Sequence, residues 1–84
     1  MTYQVVLDDR VREQLRVAPA ELRGYVSGVM AVLRTDPAGG TFAFTIIGGP
    51  EYKRVVFPDT QGFLDFRVFE DKRLIVLVDL SWPP

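Results

Sequence analysis

The order of hydrophobic and polar positions predicts one short strand, two helices and then a run of further strands. An apolar run over Tyr3–Leu7 is typical of a strand. Asp8 follows this run, at a position where aspartate commonly caps the first turn of a helix. Val11 and Leu15 lie four apart among charged residues. This spacing predicts a short amphipathic helix that ends near Val17.

A second helix is predicted to begin at Pro19, because proline is well tolerated in a first helical turn. It should end before Pro37, since the residue that precedes a proline disfavours helical backbone angles. Its apolar residues recur at helical spacing and predict the face that packs on the core. They are Leu22, Val26, Val29 and Leu33.

The second half of the chain predicts a sheet. Thr41–Ile47 alternates apolar and polar residues, and three more apolar segments with short breaks follow it. These segments are Tyr52–Phe57, Phe63–Phe69 and Arg73–Trp82. We therefore expect one α+β domain over residues 1–84, with an antiparallel meander and both helices packed on one face of a single sheet. The residues expected to be buried together are Leu22, Val26, Val29, Leu33, Phe66, Val68, Val76 and Val78.

The pairing of the last strands is predicted from the requirement that apolar residues share one face. A three-residue loop at 70–72 would bury Val76, Val78 and Leu80 and turn the alternate residues, including Ile75 and Leu77, outward. A four-residue loop at 59–62 would bury Val55 and Phe57 and turn Tyr52, Arg54 and Val56 outward. In that register Arg54 lies directly across from Arg67 on the outer face. Like charges in this arrangement destabilise a sheet unless Asp65, Asp79 or an external anion compensates them.

Composition limits the chemistry that the chain can perform. The 84 residues include no cysteine and no histidine, which excludes disulfides, thiol catalysis and imidazole bases. The net charge of −1 gives no overall basic excess of the kind that nucleic-acid binders usually show. No apolar run reaches the ~18 residues of a membrane span, and no signal peptide is recognisable. We expect a cytoplasmic protein without membrane association, metal or cofactor.

Three segments resemble parts of the RelE/ParE superfamily of bacterial type II toxins. They are "ELRGYVSGVMAVLRTDP", "YKRVV" and "FEDKRLIVLVDLSW", and together with the element order the resemblance covers nearly the whole chain. It implies a RelE/ParE-like fold and a small antitoxin as partner. In that superfamily the RelE branch cleaves mRNA in the ribosome, and the ParE branch inhibits gyrase.

The resemblance transfers only part of the RelE chemistry. Arg54 matches the arginine of the strand after the helices. The next family arginine falls on Leu64, and only a shift of about three positions brings Arg67 into its place. The terminal "SWPP" lacks the His, Arg or Tyr that ribonuclease members present there.

Three functions follow as hypotheses, of which protein binding is favoured over catalysis. The first is a toxin, or a degenerate relative, that binds an antitoxin-like protein or a second copy of itself. Its contacts would be Phe63, Asp65, Arg67, Phe69, Ile75, Leu77 and Asp79. The second is a ribosome-dependent mRNA endoribonuclease with Arg54 and Arg67 as catalytic candidates. Its RNA contacts would be Lys53, Arg54, Arg67, Arg73, Tyr52 and Trp82. The third is a solitary regulatory or dimerisation module.

Overall fold

The computed structural model describes residues 2–36, 45–58 and 61–84. Strand β1 (Gln4–Leu7) leads into helices α1 (Asp9–Val17) and α2 (Ala20–Leu33). The remaining strands are β2 (Thr45–Gly48), β3 (Tyr52–Val56), β4 (Phe63–Phe69) and β5 (Leu74–Ser81), with a 3₁₀ turn over Glu70–Lys72. The predicted strand, helix pair and meander are confirmed. Of the predicted strand Thr41–Ile47, residues 41–44 lie outside the described residues.

The five strands form one sheet in the order β1-β5-β4-β3-β2. The meander from β2 to β5 is antiparallel, as predicted. The first strand, however, pairs in parallel with β5, so the sheet as a whole is mixed rather than antiparallel. A parallel pair needs a long crossover connection, and the two helices lie within the connection between these strands.

Both helix starts follow from local chemistry. The Asp8 side chain accepts a hydrogen bond from the backbone N–H of Arg10 at 2.9 Å, which satisfies one of the free donors of the first turn. Helix α2 begins directly after Pro19, which lacks the N–H that would be unpaired there.

The two helices cover one face of the sheet, called here the inner face. Six of the eight predicted core residues are buried: Leu22, Val26, Val29, Leu33, Phe66 and Val68. Val76 and Val78 are only half-buried, and the core takes Ile75 and Leu77 instead. The predicted faces of the first half of β5 were therefore wrong.

The reason for this error lies in the turn before β5 and in a bulge within it. Phe69 pairs with Leu74, so the turn has four residues rather than three, and Arg73 takes the left-handed conformation at φ 49° that completes it. A register shift at Asp65/Phe66 then leaves Val78 as an extra residue in β5. A bulge of this kind reverses which residues face the core, so Leu80 is buried as predicted.

The β3–β4 pairing differs from the prediction by two residues. Val55 and Phe57 face the core as expected. Arg54, however, lies across from Asp65 and not from Arg67. Gly62 accounts for the shift, because its carbonyl accepts a bond from the Phe57 N–H and thereby extends the ladder. Its φ of 132° and the Ser81 oxygen, 2.1 Å from where a Cβ would lie, allow only glycine there.

We expect Val29→Asp to abolish folding, because an unpaired carboxylate would enter a site with no solvent exposure. Circular dichroism and thermal melting measure this effect. Val17→Asp is the matched control: Val17 is 65% exposed, and the change should alter the free energy of unfolding by about 1 kcal/mol or less. Melting of Val29→Asp within a few degrees of wild type would contradict this packing.

Candidate functional site

The sheet face turned away from the helices, the outer face, carries an apolar surface around an ion pair. In the described residues, three of the four exposed large hydrophobic side chains lie there, on β2 and β3. They are Ile47 (51% exposed), Tyr52 (48%) and Val56 (37%). Cross-strand pairing sets Ile47 opposite Arg54, Tyr52 opposite Arg67 and Val56 opposite Phe63. We call these residues, with Asp65, the outer patch: Ile47, Tyr52, Arg54, Val56, Phe63, Asp65 and Arg67.

Arg54 and Asp65 form a bidentate ion pair at the centre of the outer patch. Arg54 Nε lies 2.7 Å from Oδ1 of Asp65, and Nη2 lies 3.0 Å from Oδ2. Asp65 is 3% exposed although it lies on the face without helices, because the arginine and neighbouring side chains cover it. The hydrogen bonds to Asp65 raise the pKa of Arg54 above its ordinary value. A paired geometry of this kind fixes both side chains.

Two aromatic rings complete the surroundings of the ion pair. The guanidinium carbon of Arg54 lies 3.7 Å from the centroid of the Phe63 ring, in cation–π contact. The Tyr52 hydroxyl donates to Oδ2 of Asp65 at 3.3 Å. Burial, followed by the charge of Asp65, raises the pKa of Tyr52 above that of a free tyrosine. The phenol therefore stays protonated and remains a donor across the physiological range.

Arg67 differs from Arg54 in being exposed. Its contact in the structure is with the Phe69 ring, whose centroid lies 5.1 Å from the guanidinium carbon. Beside it lies an open groove of about 470 Å³, lined by Pro50, Glu51, Arg67, Val68, Phe69, Glu70 and Asp71. Arg67 thus provides an accessible positive charge at the border of the outer patch.

Three of the predicted RNA contacts are not brought together with Arg54. Lys53 is the register partner of Phe66 and lies on the inner side of β3. Arg73 donates to the Tyr3 hydroxyl at 3.2 Å, at the turn before β5. Trp82 packs against the core and lines a small pocket beside α2 with Leu22. The predicted cluster is therefore reduced to Tyr52, Arg54 and Arg67.

The predicted protein contacts divide in a similar way. Phe63, Asp65, Arg67 and Phe69 lie on the outer face. Ile75 and Leu77 belong to the core and are not available to a partner, because the four-residue turn reverses the start of β5. Asp79 accepts hydrogen bonds from Arg10 at 3.1 Å and Gln14 at 2.9 Å, so it anchors helix α1.

Sequence reasoning missed Ile47 as a surface residue and the position of Asp65 directly opposite Arg54. The alternation along β3 did indicate that Tyr52, Arg54 and Val56 share the outer side. The partner of Arg54 on β4 depended on where the connection between β3 and β4 ends, and Gly62 was the one sequence feature that indicated this. The contact of Gln14 with the edge of β5, where its Oε1 accepts the N–H of Leu80 at 2.8 Å, had no sequence signal.

Within residues 2–36, 45–58 and 61–84, no three acidic side chains are grouped as they would be around a metal ion. No helix in the same part of the chain is long and apolar enough to cross a membrane.

Comparison with solved structures shows that this architecture is similar to that of RelE proteins. A variant of the E. coli toxin RelE in the free state superposes with a TM-score of 0.76 at 16% identity, covering 98% of this chain and 84% of that one. The archaeal RelE-RelB complex from Pyrococcus horikoshii gives 0.74 at 17% identity, covering 98% and 96%. The intact E. coli RelBE toxin-antitoxin complex gives 0.71 at 16% identity, covering 98% of both chains.

The chain has the RelE toxin fold. The resemblance seen in its sequence is thereby confirmed at the level of the fold. No protein-family model matches the sequence, and a search of curated proteins finds no match either.

We expect Arg54→Ala to lower the melting temperature clearly more than Arg67→Ala. The first change leaves the buried carboxylate of Asp65 without its bidentate partner, and an unpaired buried charge is costly. The second removes an exposed arginine from the same face. Thermal melts of both variants at neutral pH give the comparison. Equal melting temperatures would show that the ion pair contributes nothing to stability.

Proposed function

We propose that this protein acts by binding another protein through the outer patch, as the toxin-like member of a toxin-antitoxin pair. The observation that carries the proposal is an exposed apolar surface whose central charge is already neutralised inside the chain. An arginine held by a buried carboxylate offers no free charge, whereas the apolar side chains around it remain in contact with water. Surfaces of this kind are favoured at protein interfaces.

The outer patch suits an amphipathic antitoxin-like segment. Ile47, Tyr52 and Val56 would be covered by apolar side chains of the partner. Arg67, at the border, would donate hydrogen bonds to a carboxylate of the partner, because its guanidinium is exposed and can form a bidentate pair. Support for an antitoxin as occupant comes from the structural neighbours, one of which is RelE bound to an antitoxin RelB peptide.

Ribonuclease activity is the less favoured alternative. Stabilising a phosphate needs positive groups that face the ligand, but Arg54 is engaged with Asp65, and Lys53 and Arg73 point elsewhere. Trp82 packs against the core and does not form a stacking platform together with Tyr52. The chain also has no histidine to move a proton at neutral pH.

The test is co-expression with a short reading frame next to the gene in its source genome; the absence of such a reading frame would contradict the pairing. We expect the two products to purify together, and Ile47→Ser and Tyr52→Ser to weaken association at least about tenfold in calorimetry, since buried apolar and aromatic anchors carry most binding energy. Both side chains are exposed in the free protein, so the variants should still fold.

Val17→Ser is the matched control, because Val17 is exposed but lies at the end of α1, outside the outer patch. Association that is unchanged in both patch variants, or a self-dimer in place of the heterocomplex, would contradict the proposal. Codon-specific mRNA cleavage on ribosomes that disappears in Arg54→Ala would assign the ribonuclease function instead.

A further inference from the structure

The outer patch contains the groups that usually bind single-stranded nucleic acid. Arg54 and Arg67 lie on neighbouring strands, with the Tyr52 ring opposite Arg67 and the Phe63 ring against Arg54. Positive charges for the phosphates and aromatic faces for the bases are the two elements that such sites combine. On β3 and β4, the one acidic side chain of the outer patch is Asp65.

Asp65 occupies the place that a phosphate would take at Arg54. Its two oxygens accept the two N–H groups of the guanidinium, at 2.7 and 3.0 Å, in the fork geometry that arginine also offers to phosphate. Asp65 also accepts a hydrogen bond from the Tyr52 hydroxyl. An incoming phosphate would have to compete for these donors and approach a carboxylate that is shielded from water.

Shielding strengthens this exclusion. Asp65 is 3% exposed, so water screens its charge poorly and its side chain is held by three hydrogen bonds. Rotating it out of the way would leave a buried charge without partners, which is unfavourable. The carboxylate is therefore a fixed counter-ion rather than a mobile surface group.

We propose that Asp65 is a specificity-determining residue that excludes single-stranded RNA from the outer patch. A purely structural ion pair between β3 and β4 would stabilise the fold without changing what the face binds. The proposal goes beyond the proposed function, and its experiment contains no partner, so either one can fail without the other.

The experiment measures fluorescence anisotropy of a labelled ten-nucleotide uridylate RNA at low salt. We expect no measurable binding by wild type, and binding by Asp65→Asn that is about tenfold or more tighter than binding by Asp71→Asn. The control removes the same charge from an exposed turn. The gain in affinity should disappear in the double variant Arg54→Ala/Asp65→Asn. The affinity of Asp65→Asn should also fall more steeply with salt than that of Asp71→Asn, by about one phosphate contact.

Asp65→Thr is the second variant, in case Asp65→Asn folds poorly, because threonine suits a strand and its hydroxyl can still accept from Arg54. Thermal melting establishes that each variant is folded. The proposal is wrong if the folded variants bind the RNA no better than Asp71→Asn does. It is also wrong if wild type binds the RNA as tightly as the folded Asp65 variants do.

Discussion

Two helices cover one face of this five-stranded sheet, and this coverage determines which residues of β4 are buried in the core and which face away from it. Apolar side chains that alternate toward the helices form the core, as Leu64 and Phe66 do on β4. Residues between them must point to the other side. Asp65 is such a residue, and there it becomes buried without a helix above it. Its charge is tolerated because Arg54, on the neighbouring strand, pairs with both of its oxygens.

Helix and strand positions could be predicted from the sequence because each is determined locally. Asp8 caps α1, Pro19 precedes α2, and the alternation along β3 assigns its residues to the correct faces. The start of β5 could not be assigned in this way. In "LIVLV" every residue is apolar, so hydrophobicity gives no preference for either face, and the register depends on the turn before it.

That turn carries no sequence signal of the usual kind. Its left-handed position is occupied by Arg73 rather than by glycine or asparagine. The bulge at Val78 is likewise not indicated by the hydrophobic pattern. The β3–β4 pairing at the candidate site was equally difficult to predict. Tyr52, Arg54 and Arg67 were predicted to share a face and do so, but their partners changed when the β3–β4 pairing moved by two residues.

This shift changes the chemistry of the face. Arg54 opposite Arg67 would have formed a concentration of positive charge that calls for an anion. Arg54 opposite Asp65 is already compensated, and the apolar residues around the pair become the accessible feature of the surface. In the described part of the chain, the sheet thus has the RelE fold, and the apolar residues of its outer face surround an ion pair that is already compensated.

The most direct test of this account is methyl cross-saturation by NMR in a complex with the antitoxin-like partner proposed above. Saturating the partner should attenuate the methyl signals of Ile47 and Val56, which lie on the outer patch and are exposed in the free protein. The methyl signals of Val17, exposed at the end of α1, should keep their intensity. Attenuation of Val17 with unchanged Ile47 and Val56 signals would place the partner on the helices and contradict the account.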